Sequence, residues 1–198
     1  MAPDHLDFVD IVAAARDLVV TGADVHHRRI EPRQPDAITW YCDLDDGTAT
    51  DSERDPASYV RWVCPALRVS RAAAALVVPD LDVSRAGPQS DLGKLLEGFG
   101  RLAGRTRQPA PGTDAEGRYV YVDPAGILDP ALRERIDTWP SAMHGDGVVR
   151  PAELSSISRT GEGLVVTSLS WWDSPAALDH QIDLALDIAR RLAAHPRA

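Results

Sequence analysis

The stretch SPAALDHQIDLALDIARRLAA, residues 174–194, constrains the fold of this chain most. Ser174 stands where an N-cap belongs and Pro175 takes the first helical position, where its missing N–H costs nothing. Leu178, Ile182, Ala185, Ala189 and Leu192 then recur every three or four residues, while His180, Asp183, Asp187 and Arg191 fall on the opposite, solvent-facing side. A helix with one continuous apolar stripe draws most of its stability from whatever covers that stripe, so the upstream chain has to supply a sheet or another helix.

Upstream segments read as strands. In AITWYCDL, Ile38, Trp40, Cys42 and Leu44 alternate with Thr39, Tyr41 and Asp43, the period of a half-buried strand. VHHRRI, SYVRWVCPALRV, AALVVPDLDV and RYVYV are strand-like, with Pro65 and Pro79 keeping two of them short. ELSSISRTGEGLVVTSLSWW reads as a hairpin turning at 160–163. Further helices are expected over 4–20 (Leu6, Val9, Val12, Ala13, Val19), over 90–104 (Leu92, Leu95, Leu96, Phe99, Leu102), and from Pro130 with Asp129 as its cap. Strand runs interrupted by single helices predict an α+β fold, a mostly antiparallel sheet packed against amphipathic helices including a long C-terminal one. The 198 residues suit a single domain, with a soft internal boundary in the Pro- and Gly-rich segment 105–117.

Charge and cysteine usage narrow the function classes. The formal charge is −9, which disfavours nucleic acid and anionic lipid as partners; the run His26-His27-Arg28-Arg29 is the one local basic exception and reads as a solvated strand edge. Two cysteines, Cys42 and Cys64, lie in apolar runs and read as reduced core thiols. The N-terminal MAPDHLDFVD carries aspartates where a secretory signal carries positive charge, and no apolar run approaches a membrane span, so a cytoplasmic protein without membrane insertion is expected.

One stretch suggests chemistry. CDLDDGTATDS, following a hydrophobic strand, resembles the first motif of the haloacid dehalogenase superfamily, D-x-D-x-[TV]. The resemblance implies a magnesium-dependent phosphohydrolase with Asp43 as nucleophile, Asp45 as general acid and base, Lys94 as the charge-neutralising cation, and Asp146 of HGDGVV completing a metal site with Asp43 and Asp45. The chain departs from that pattern in three places, the first being Pro140 in the segment DTWPSAM, where a buried strand should precede Gly145-Asp146. Asp46 is inserted ahead of Gly47-Thr48, and Arg150 stands where a second carboxylate would follow Asp146.

Other constellations give less. The loop from 43 to 55 holds six carboxylates and one cation, Arg54, which reads as a solvated turn, a site for a hard cation or a docking surface for a basic protein. His144 with Asp146 offers a general base with an orienting carboxylate but reads first as a flexible connection, and Cys42, Cys64 and the His26-His27 pair lack zinc-site spacing. Neither a nucleophile elbow nor a dinucleotide fingerprint occurs. Trp171 and Trp172 are adjacent in a strand-like run, so one faces away from the core, and with Trp139 they form a candidate recognition patch. The expectation is therefore a non-enzymatic adaptor or regulatory domain that binds a protein partner through the tryptophan corner or the acidic loop and needs no cofactor, with the phosphohydrolase as its alternative.

Overall fold

The structure is a computed structural model that describes residues 6–22, 26–34, 37–45, 59–69, 74–79, 113–116, 119–123, 126–138, 141–143, 149–151, 154–169 and 174–195. In chain order its elements are α1 (Asp7–Ala15), β1 (Leu18–Thr21), β2 (His27–Pro32), β3 (Tyr41–Asp45), β4 (Tyr59–Cys64) with a 3-10 turn (Pro65–Leu67), β5 (Ala74–Pro79), β6 (Thr113–Glu116) and β7 (Tyr119–Val122). There follow α2 (Pro130–Asp137), β8 (Ser141–Met143), β9 (Val149–Pro151), β10 (Leu154–Arg159), β11 (Leu164–Leu169) and α3 (Pro175–Ala194).

Nine strands form one sheet in the order β1-β2-β3-β4-β11-β10-β5-β7-β6, while β8 and β9 pair separately. Every pairing is antiparallel. This is the expected α+β architecture. The long C-terminal helix lies where its stripe demands, with Leu178, Ile182, Ala185, Ala189 and Leu192 buried in one core with Ile30, Cys42, Leu44, Val60, Trp62, Leu164, Val166 and the α1 residues Phe8, Val9, Val12 and Ala13. Trp40 stacks on Trp62 at 5.7 Å between ring centroids. Because strand side chains alternate, Tyr41, Asp43, Asp45, Tyr59, Arg61 and Val63 occupy the opposite, outer face. Val63 and its cross-strand partner Val165 are buried there, apart from the main core.

Gln181, inside the α3 stripe and polar, is fully buried. Its Oε1 accepts from Ser168 Oγ at 2.7 Å, and its Nε2 donates to the carbonyls of Val60 (3.3 Å) and Val166 (3.1 Å). The amide thus bolts α3 to β4 and β11 with its polar atoms satisfied.

Three local expectations change. The first helix stops at Ala15, because Asp17 adopts a left-handed φ of 52° and the β-branched Val19 and Val20 continue as β1. Ser174 is the N-cap by position, yet its side chain makes no capping bond; Asp129, in contrast, caps α2 by accepting from Leu132 N at 2.9 Å. Within the segment 105–117 the described residues are those of β6, which pairs with β7. The side of α3 expected to be wet is largely covered by α2: Arg135 pairs with Asp187 at 2.8 Å, Arg191 with Asp129 at 2.7 Å, and His180 is half-buried. Only Asp183 of that set is exposed, and it pairs with Arg16 of the α1 terminus at 2.9 Å. The helix expected over 90–104 lies outside the described residues. Among the described residues no helix is long and apolar enough to cross a membrane.

Candidate functional site

The outer face of β2, β3 and β4 carries a row of opposite charges. Register places Asp43 across from Arg29 on one side and Arg61 on the other. Arg29 grips the Asp43 carboxylate with two hydrogen bonds, Nε to Oδ1 at 2.6 Å and Nη2 to Oδ2 at 2.9 Å. Two parallel charge-assisted bonds are the strongest geometry an arginine and a carboxylate can adopt. The guanidinium also lies over the Tyr41 ring, with Cζ 4.3 Å from the centroid. His27 Nε2 stands 3.8 Å from Asp43 Oδ1, beyond hydrogen-bond length but close enough to add attraction when protonated. Arg61 pairs with Glu162 from the β10–β11 turn, so the row crosses from β2 to that turn as Arg29, Asp43, Arg61, Glu162.

Burial and charge set the behaviour of this row. The Asp43 side chain is 10 % exposed and that of Arg29 42 %, so the arginine shields a carboxylate that the sheet has largely removed from water. The bond to Asp43 raises the pKa of Arg29 and keeps it charged. Burial first, and the charges of Asp45 and Asp43 next, push the Tyr59 phenol up, which leaves it a neutral donor.

For the residues of the phosphohydrolase motif the geometry has a direct chemical reading. Asp43 is the middle residue of five-residue β3, paired with a strand on each side, and Asp45 is its last residue on the same outer face. Each Asp43 oxygen accepts one bond from Arg29, so the carboxylate's charge is shared with a guanidinium, which weakens it as a nucleophile and as a metal ligand. Lys94 and Asp146, the other members of that reading, lie outside the described residues, as do Trp139, Trp171, Trp172, His144 and the acidic residues 46–55. Among the described residues no three His, Cys, Asp or Glu side chains converge as metal ligands.

Of the zinc combination, His27 is parted by the sheet from the two cysteines. Cys42 and Cys64 are both buried on the core side, and the carboxylate-facing His27 is on the outer side. Burial pushes both thiols up and keeps them protonated. His180, read above as a solvent-facing residue, instead turns Nε2 to the Arg135 carbonyl at 3.0 Å, which fixes the tautomer that carries its proton on Nε2. Burial lowers its pKa.

The sequence does not reveal Arg29 as the partner of Asp43, nor Tyr41, Arg61 and Glu162 as members of the same row. Alternation along VHHRRI, AITWYCDL and SYVRWV puts all but Glu162 on outer-facing positions, but which arginine meets which aspartate depends on register, and register is not a local property. Comparison with family models, with curated proteins and with solved structures yields no match for this chain.

Proposed function

We propose that this chain is a non-enzymatic binding domain that recognises a protein partner, and that Asp43 is a structural residue of its outer face. The observation that carries the reading is the two-bond clamp of Arg29 on Asp43, at 2.6 and 2.9 Å, which commits to a cation of the neighbouring strand the carboxylate that phosphoryl chemistry would turn to a metal and a substrate. Partner recognition falls to the tryptophan corner (Trp139, Trp171, Trp172) or to the acidic loop that follows β3, whose charge suits a basic protein surface and repels nucleic acid. The reading requires no cofactor and a cytoplasmic site of action.

The phosphohydrolase reading is favoured by one observation, that Asp43 and Asp45 share a face. A magnesium-dependent assay with p-nitrophenyl phosphate on wild type and Asp43→Asn separates the two. The binding reading expects no turnover above blank in either protein, and turnover that disappears in Asp43→Asn would replace it with the enzyme. In parallel, capture of one identified partner by wild type should weaken with Trp172→Ala or with charge reversal in the acidic loop; equal capture by all three would remove both surfaces from the reading.

A further inference from the structure

We propose that β1 is a self-complementary sheet edge through which two copies of this chain pair antiparallel about a twofold axis at Val19, joining their sheets. This goes beyond the partner-binding reading and does not depend on it. The register of β1 against β2 sets Leu18 opposite Pro32, Val19 opposite Glu31, Val20 opposite Ile30 and Thr21 opposite Arg29. Just beyond, Arg33 N donates to Asp17 O at 3.4 Å, which marks Asp17 and Arg33 as a hydrogen-bonded pair. Antiparallel pairs alternate, so Val19 and Thr21 turn their amides and carbonyls inward to β2, and Leu18 and Val20 turn theirs outward. Pro32 confirms the phase, since a residue without an N–H fits opposite Leu18, where no bond to β1 is made.

Among the described residues β1 ends the sheet, with no strand on its outer side. The edge therefore presents two N–H and two C=O groups spaced symmetrically about Val19. An identical strand run antiparallel through Val19 sets Leu18 against Val20 of the partner and Val20 against Leu18 of the partner, which closes four hydrogen bonds with no register to choose. Side-chain parity agrees. Val19 meets its own copy on the outer face, and the apolar pair of Leu18 with Val20 falls on the core side.

Charge selects a second copy as the occupant. The chain carries −9, yet Leu18, Val19, Val20 and Thr21 are neutral, and the flanking Asp17 is neutralised by Arg33 at 2.8 Å. Two copies thus meet along a stretch that carries no net charge. The strand also has no lysine, proline or inward charge of the kind that guards exposed edges. The same operation brings both α1 helices to one side of the joint, and α1 bears Ile11, at 60 % exposure the one exposed large hydrophobic among the described residues. With only four backbone bonds, the dimer dissociates on dilution.

The test is sedimentation equilibrium on the full chain with residue-resolved amide exchange. Wild type should approach twice 21.4 kDa at high concentration, with the Leu18 and Val20 amides slowed there and released on dilution. Val19→Lys puts two like charges face to face and should halve the mass, as should Val19→Glu, and an equal mixture of the two variants should restore it as a heterodimer. Wild type that stays at 21.4 kDa, variants that remain dimeric, or Leu18 and Val20 amides already protected in a monomer, as when a segment of the same chain covers the edge, would each overturn the proposal. Should neither variant fold, the dilution dependence of those two amides in wild type still decides it.

Discussion

Replacing Arg29 by methionine tests the clamp on Asp43. Methionine retains much of the apolar stem and removes both hydrogen bonds, the charge and the guanidinium that lies over Tyr41. Exposed ion pairs contribute at most about 1 kcal/mol, and breaking a fully buried one costs about 3–5 kcal/mol. Here the carboxylate is 10 % exposed and the guanidinium 42 %, so the loss falls between these limits, about 2 kcal/mol. Asp43→Asn is the milder change, about 1 kcal/mol, because a freed arginine can turn to water whereas a freed carboxylate on this face cannot. The double variant should then be little worse than Asp43→Asn alone, leaving a coupling energy of about 1–2 kcal/mol. Arg29→Lys should fall between wild type and methionine, since an ammonium cannot hold both oxygens in one plane. Urea unfolding followed by tryptophan fluorescence reads wild type and all four variants, with Trp62 fully buried as part of the signal. An Arg29→Met variant within about 0.5 kcal/mol of wild type, or losses that simply add, would refute the reasoning.

Three further outcomes follow from the same coordinates. Gln181→Leu leaves the Ser168 hydroxyl without its acceptor and should cost about 2–3 kcal/mol, with Ser168→Ala in the same background recovering part of it in urea titrations. Gly163, at φ 138° with an added Cβ set 2.1 Å from the Cys64 carbonyl oxygen, should not tolerate alanine; the loss in thermal or urea unfolding should reach about 3 kcal/mol or more. Burial holds His180 below its ordinary value, so the unfolded chain binds that proton more readily and stability should fall as pH drops through about 6.5. His180→Asn should flatten that part of the pH profile, and an unchanged profile would contradict the assignment.

What the sequence made legible was governed by local periodicity. The α3 stripe, the β3 alternation, the 160–163 turn and the Asp129 cap of α2 follow from spacing and turn chemistry within a few residues, and the structure repeats them. What escaped was set by contacts distant in sequence. A polar residue such as Gln181 interrupts no pattern, and only the approach of Ser168, Val60 and Val166 makes it a core residue. His180, Asp187 and Arg191 look solvated along one helix until α2 covers them. The candidate site shows the same division. Asp43 and Asp45 stand out as a motif, but the residue that decides what Asp43 can do is Arg29, on a neighbouring strand and visible only through register. The left-handed Asp17 likewise ends a helix that apolar spacing alone would extend to Val19.

The most direct test of Asp43 as a clamped structural residue is a crystal soaked in manganese, as a detectable substitute for magnesium, together with a phosphate mimic. Arg29 holding both oxygens of Asp43, with no anomalous peak beside them, is the predicted result. A metal ion bonded to an Asp43 oxygen, with Arg29 displaced, would contradict it and return the loop to phosphoryl chemistry.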